Sequence, residues 1–308
     1  MGPTASGKTE LAIRLAERFP LELISVDAAQ VYRGMDIGTA KPEPELLRRY
    51  PHRLIDICDP AEAYSAARFR EDARRAIGEI HAAGRLPLLV GGTMFYFAAL
   101  EHGLSTLPRA DPALRAEIEA EAARTSWPAL HRELERIDPS LARTIRPEDA
   151  QRIQRALEIH RLTGEAPSAV MAGSRGNALP HPLIKMALFT ADRSQLHDAI
   201  ARRFRTMLEA GLLSEVERLM ERGDLSLKLP ALRTVGYRQA WEHLSGERSR
   251  DEMERRAIAA TRQLAKRQLT WLRQQRGVVW LQADDQFVDA AVRYLESALQ
   301  AVPSRNMI

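Results

Sequence analysis

Three observations in the amino-acid sequence predict an α/β fold, a mostly parallel sheet flanked by helices, with an all-helical subdomain inserted into it. The chain opens with Gly2-Pro3-Thr4-Ala5-Ser6-Gly7-Lys8-Thr9, a full match to the phosphate-loop (P-loop) pattern G-x-x-x-x-G-K-[ST]. Short Leu- and Val-rich runs then alternate with helix-like segments over the first third of the chain, the rhythm of a parallel sheet with helical crossovers. From about Asp111 to Gly164 the pattern is helical throughout, which marks an insertion.

Each element follows from its residues. Gly2 and Gly7 lack a Cβ and let successive backbone N–H groups turn inward around a phosphate chain, while Lys8 neutralises charge and the Thr9 hydroxyl is available to Mg²⁺. Residues 10–18 read as a helix, so the loop sits at a helix N-terminus, where the macrodipole favours an anion. Such a loop normally follows a buried strand, and only Met1 precedes it here. The expectation is that the natural chain begins upstream, which mass spectrometry of the intact natural protein tests. Strands are expected at 21–26, 53–58 and 86–90, with a helix over 65–83. Ligands of this architecture sit at the carboxyl ends of strands, which singles out Asp27, Asp59 and Gly91-Gly92-Thr93. Helices follow at 111–124, 127–136 and 147–163, the first two opened or followed by the Asp-Pro pairs Asp111-Pro112 and Asp138-Pro139. A Gly-, Ser- and Pro-rich loop over 164–182 leads to a strand at 183–189, a mainly helical remainder, a strand at 278–281 and a helix at 284–301. The domain reading is a core of residues 1–109 and 179–308, with 110–178 as the helical insertion.

Composition narrows the function. With 308 residues, 45% hydrophobic and 28% charged, the chain has the make-up of a globular protein. The longest apolar run, 86–100, is broken by Pro87, Gly91, Gly92 and Thr93 and is too short to span a bilayer, so no membrane role is expected. The phosphate loop occupies the place where a signal peptide would lie. The single cysteine, Cys58, excludes an internal disulfide framework, reads as a small core residue and fits a cytoplasmic location. The net charge of +4 is modest, but the pI of about 9.4 makes nucleic-acid binding worth testing. Residues 250–277 read as one long helix. On it Arg255, Arg262, Lys266 and Arg273 return to nearly one angle, with Ile258, Ala265, Leu269 and Leu272 on a separate apolar stripe. One side packs; the other is either a solvated charged face or a basic ridge for an anionic partner.

Asp27 follows the strand Leu23-Ile24-Ser25-Val26 and is expected to project towards the phosphate loop. It could hold Mg²⁺, serve as a general base, or simply cap the next turn.

The signatures Gly2 to Thr9, Ser25-Val26-Asp27, the segment from Gln30-Val31-Tyr32 through Asp36-Ile37-Gly38-Thr39-Ala40-Lys41-Pro42, Gly91-Gly92-Thr93, Gln151-Arg152-Ile153-Gln154-Arg155, Val235-Gly236-Tyr237-Arg238 and Lys266-Arg267-Gln268-Leu269-Thr270-Trp271-Leu272-Arg273 occur in order along nearly the whole chain. Together they resemble the bacterial tRNA dimethylallyltransferases. The resemblance implies transfer of a dimethylallyl group from its diphosphate to N6 of adenosine 37, beside the anticodon. The loop then holds a leaving group through Gly2, Thr4, Ala5, Ser6, Gly7, Lys8, Thr9 and Mg²⁺, with the metal on Thr9; Pro3 has no N–H to offer. It implies Asp27 as the base that takes the N6 proton, catalytic parts for Thr9 and Thr93, and a flipped adenine in a channel lined by Thr93 and Met94. Contacts to tRNA are implied for Asp27, Ala28, Ala29, Gln30, Thr93, Arg115, Gln151, Arg152, Ile153, Gln154, Arg155, Arg233, Thr234, Val235, Gly236, Tyr237 and Arg238, by phosphate grip or base-edge reading. The partners implied are tRNA and dimethylallyl diphosphate, and the chain is expected to act as a monomer.

Two positions depart from the family pattern: Ala28, where serine is common, and Thr234, where cysteine is frequent. The eight histidines are scattered with no metal-ligand spacing. A P-loop kinase of a nucleotide or small metabolite also explains the first octapeptide but leaves the basic helix without a purpose. A free adenine-nucleotide prenyltransferase has the same shortcoming. An RNA-binding protein with a nucleotide switch predicts hydrolysis without prenyl transfer.

Overall fold

The computed structural model describes residues 1–104, 107–173, 178–284 and 286–301. They divide into two compact units, Met1–Leu100 with Pro180–Ile308, and Glu101–Leu179.

In the first unit the phosphate loop runs straight into α1 (Lys8–Ala16), and the chain returns as β1 (Leu21–Val26), whose residues from Glu22 onward are all buried. After α2 (Pro44–Arg49), β2 (His52–Arg53), α3 (Ala66–Ala82) and β3 (Leu86–Gly91), β1 lies at the centre of a three-stranded sheet ordered β2-β1-β3. Both pairings are parallel, with Leu21 opposite Leu86 and Val26 opposite Gly91 on one side and Leu23 opposite His52 on the other. The strand expected over 53–58 is cut to two residues. Leu54 and Asp56 take positive φ (65° and 57°) and turn the chain out of extension, leaving Cys58 in an isolated bridge to Tyr32. The apolar run 86–100 resolves into β3 and then α4 (Met94–His102). At the end of β3 a Cβ on Gly91 would lie 2.0 Å from the Val26 carbonyl oxygen, so only glycine lets the two strand ends close up.

The later part of this unit contributes β4 and β5. They come after five helices of the other unit, α5 (Pro112–Thr125), α6 (Trp127–Ile137), α7 (Pro139–Ala142), α8 (Ala150–Thr163) and α9 (Pro167–Gly173). The order then runs β4 (Lys185–Phe189), α10 (Arg193–Glu209), α11 (Leu212–Glu221), α12 (Tyr237–Leu244), α13 (Arg250–Arg273), β5 (Val278–Gln282) and α14 (Phe287–Ala301). β4 and β5 pair in parallel as a second sheet, and the Met1 backbone lies beside β4, donating to the Met186 carbonyl (2.8 Å) and accepting from the Leu188 amide (2.9 Å). Leu11, Leu15, Leu188, Leu281, Val292 and Leu295 form the core between α1, this sheet and α14. The long helix α13 starts where the Ser249 hydroxyl accepts the Glu252 amide and ends at Arg273, short of Gly277. It buries Met253, Ala257, Ile258, Ala265 and Leu272, while Arg255, Lys266, Arg267 and Arg273 face solvent.

The second unit packs around Ile118, Leu130, Leu134, Ile153 and Leu157. Three of its helices, α5, α7 and α8, begin at aspartates that accept first-turn amides: Asp111 from Ala113 and Leu114, Asp138 from Leu141, and Asp149 from Arg152. The Asp149 cap places the start of α8 at Ala150, after the expected 147. Part of the expected loop 164–182, residues 174–177, lies outside the described residues.

Candidate active site

The loop's geometry follows from its small residues. Gly7 takes φ 81° as the N-cap of α1, and Ala5 also takes a positive φ of 62°. Gly2 does not need one. Its glycine is required by close approach, since a Cβ there would meet the Ser6 hydroxyl at 2.8 Å and the Leu188 carbonyl oxygen at 3.0 Å. The buried Ser6 hydroxyl donates to the Pro3 carbonyl (2.9 Å), and the Lys8 ammonium folds back to donate to the same oxygen. The Thr4 amide, expected to face the diphosphate, donates instead to Oε1 of Gln268 on α13 (2.9 Å). Thr9 sits exposed in the first turn of α1.

Asp27 ends β1 and uses one carboxylate oxygen as a cap: Oδ1 accepts the amides of Ala29 (2.9 Å) and Gln30 (3.3 Å). Its Oδ2 has no hydrogen bond among the described residues. Thr93 braces the turn, its hydroxyl accepting the Ala28 amide (3.0 Å) and its amide donating to the Val26 carbonyl (3.2 Å). Gln30 is fully engaged, accepting from the Ser25 hydroxyl and donating to the Thr39 and Ala40 carbonyls. Met94 is buried against Ala187 and Leu272.

A cleft of about 110 Å³ opens beside Asp27, lined among others by Thr4, Arg203, Thr234, Gly236 and Gln268. Arg203 of α10, which lines this cleft, is a residue that sequence reasoning did not single out. Burial lowers its pKa, the Asp27 charge opposes that shift, and it forms no salt bridge among the described residues. The legible signal was an arginine three residues after Ile200 and next to Phe204, on the apolar face of α10. Burial, and then the Arg203 charge, push the Lys8 ammonium down to about 8, with Asp27 opposing. Two half-buried cations and one half-free carboxylate thus share this end of the sheet. A lysine whose pKa is strongly lowered beside a partly unpaired carboxylate makes this a candidate functional site.

The other expected contact residues fall into two groups. Near the cleft, Thr234, Val235 and Gly236 line its wall. Arg233 donates to the Leu227 carbonyl (3.2 Å) and Arg238 pairs with Glu242 (2.9 Å). Tyr237 is wholly buried, its hydroxyl donating to Glu215, so its side chain is not at the surface. In the second unit Gln151 and Arg152 are exposed, and Gln154 donates to the Arg115 carbonyl and to Glu119. Ile153 is also wholly buried, so it holds α8 in the unit's core rather than meeting a ligand. Arg115 and Arg155 both bind the buried Glu158. Among the described residues no cluster of three or more His, Cys, Asp or Glu side chains could hold a metal ion.

A phosphate-loop pattern at a helix N-terminus, with a carboxylate at the end of the strand that follows in a parallel sheet, defines an α/β protein of the P-loop class. The chain belongs to the IPP transferase family, whose model matches residues 30–275; a second model, isopentenyl transferase, matches residues 1–56. It is 59% identical to the tRNA dimethylallyltransferase of Thioalkalivibrio sulfidiphilus over 98% of this chain and 94% of that one. To that of Alkalilimnicola ehrlichii it is 58% identical over 96% and 94%. Among solved structures it resembles the full-length tRNA isopentenylpyrophosphate transferase of Bacillus halodurans (TM-score 0.69, 38% identity, 98% and 97% covered). It also resembles a eukaryotic dimethylallyltransferase acting on tRNA (TM-score 0.79, 26% identity, 98% and 79% covered).

Proposed function

We infer that this chain transfers a dimethylallyl group from dimethylallyl diphosphate to N6 of adenosine 37 in tRNA, releasing diphosphate. The observation that carries the reading is the shared cleft: Asp27 keeps Oδ2 free in a cleft that Arg203 also lines, next to a loop whose half-buried Lys8 has its pKa lowered to about 8. In the reaction the allylic C–O bond breaks and its electron pair leaves with the diphosphate, while N6 bonds to the allylic carbon. Lys8, Arg203 and the α1 N-terminus stabilise the charge that builds on the leaving group. N6 is a weak nucleophile because its lone pair is delocalised into the ring. Asp27, taking the N6 proton on Oδ2 as the bond forms, answers that weakness. The Oδ1 cap holds the carboxylate in place meanwhile.

Mg²⁺ fits this site as an ion carried mostly by the substrate. The ligand expected for it from the loop is the exposed Thr9 hydroxyl, and Mg²⁺ commonly keeps water and phosphate oxygens as its other ligands. When bound it would add charge neutralisation on the diphosphate. The adenine must leave the anticodon stack to reach Asp27. The exposed Arg255, Lys266 and Arg273 on α13 would then grip phosphates. The same reading has the enzyme act as a monomer in the cytoplasm, where the buried thiol of Cys58 stays reduced. Among the described residues no helix is long and apolar enough to cross a membrane.

The test offers labelled dimethylallyl diphosphate and Mg²⁺ together with unmodified tRNA, free AMP, or ATP plus candidate metabolites. Label is expected only in tRNA, at adenosine 37, and an Asp27→Asn enzyme should transfer it roughly 10²–10⁴-fold more slowly while still binding tRNA. Label in AMP, or phosphate transfer from ATP, would overturn the reading.

A further inference from the structure

Gln268 on α13 touches two loops at once. Its Oε1 accepts the Thr4 amide of the phosphate loop (2.9 Å), and its Nε2 donates to the Gly92 carbonyl after β3 (2.8 Å). A Cβ at position 92 would come within 2.5 Å of that Nε2, so the contact depends on glycine there. It also depends on an amide at 268, because one end must accept and the other donate. A carboxylate of the same size would set a second oxygen against the Gly92 carbonyl.

The next residue carries the contact onward. Thr93 accepts the Ala28 amide and donates to the Val26 carbonyl, the two positions flanking Asp27. One side chain is therefore tied to the loop that would hold the leaving group and, through Gly92 and Thr93, to the turn that carries the base. We propose that Gln268 is a positioning residue that sets the phosphate loop and Asp27 in register. This rests on the prenyl-transfer reading above and deepens it. An error of about 1 Å between reacting groups costs on the order of 10²-fold in rate, so a side chain that fixes both loops governs turnover without touching substrate.

The test uses the full chain with Gln268→Met, which keeps length and loses both hydrogen bonds, Thr93→Val, which loses the Ala28 bond, and their combination. Gln268→Met should lower kcat for transfer to tRNA by about 10²-fold, with KM for tRNA within about threefold and the melting temperature near that of the parent. Because both residues act through one path, the double variant should be no slower than the slower single by more than about threefold. A parent-like kcat for Gln268→Met, or losses that multiply in the double variant, would overturn the proposal. Should Gln268→Met not fold, Gln268→Glu takes its place and is expected to lose turnover likewise. If the parent transfers no label at all, the prenyl-transfer reading fails by itself. The Gln268 proposal is then judged on inorganic pyrophosphate binding by calorimetry, expected to weaken in Gln268→Met and overturned if unchanged.

Discussion

Two clusters, one in each unit, each set two cations near one carboxylate and differ in how far their charges are satisfied. In the helical unit the fully buried Glu158 carboxylate accepts the Asp111 amide (2.9 Å), Nε and Nη2 of Arg115 (2.8 and 3.0 Å) and Nη1 of Arg155 (2.5 Å). Burial alone would raise its pKa, but the two guanidinium groups and the amide outweigh burial and hold it below the usual carboxylate range. At and beside the cleft of the other unit, among the described residues Lys8 has only the Pro3 carbonyl, Arg203 has no ion pair and Asp27 leaves Oδ2 free. The first cluster is complete without a ligand. The second carries excess positive charge that an anion would settle.

Removing a charge from each cluster should therefore have opposite consequences. Arg203→Met is expected to slow transfer by about 10²–10³-fold, the usual worth of one group that stabilises developing charge. Its melting temperature should stay level or rise, because a poorly compensated half-buried cation is gone. Parent-like turnover with a large fall in melting temperature would make Arg203 a structural residue and dissolve the contrast. Glu158→Gln should instead cost roughly 1–3 kcal/mol of stability by denaturant titration, since it strips charge-assisted bonds from two arginines. Transfer per folded molecule should remain near the parent's. A tenfold rise in KM for tRNA with unchanged stability would show that Arg115 and Arg155 serve the substrate after all.

The sequence carried the site unevenly, and the contrast explains why. The phosphate loop, β1 and the position of Asp27 were legible because they depend on local patterns: a fixed spacing of glycines, a short apolar run and a polar residue at its end. The contraction of the 53–58 strand was not, because it depends on positive φ at Leu54, which carries no turn signature, and at Asp56, a lone turn former inside an apolar run. Arg203 and Gln268 escaped because their meaning lies in residues 170 or more positions away: Arg203 lines the same cleft as Asp27, and Gln268 accepts the Thr4 amide. The burial of Ile153 and Tyr237 was concealed for the opposite reason. Each sits inside a motif whose neighbours are polar, and only packing separates the residue that holds a helix from the one that faces a ligand.

The smallest expected effect concerns proton linkage at Lys8, and it separates the two clusters without any loss of fold. Folding lowers the Lys8 pKa from 10.5 to about 8, first by burial and then by Arg203. The unfolded chain thus holds a proton that the free folded protein has lost across that window. Lys8's contribution to stability therefore rises as pH climbs from about 8 towards 10.5. Ligand binding has the reverse sign. A diphosphate beside Lys8 favours the ammonium, so binding takes up a proton above pH 8, and affinity should fall with rising pH by up to about tenfold per unit. Calorimetric titration of dimethylallyl diphosphate in buffers of different ionisation heat measures that uptake directly. A Lys8→Arg protein, charged throughout the range, should show less uptake and a flatter affinity profile. Equal uptake by the two proteins would mean that the diphosphate does not meet Lys8, whereas the expected difference makes the cleft, unlike the Glu158 cluster, a site whose charges are set to be completed by a ligand.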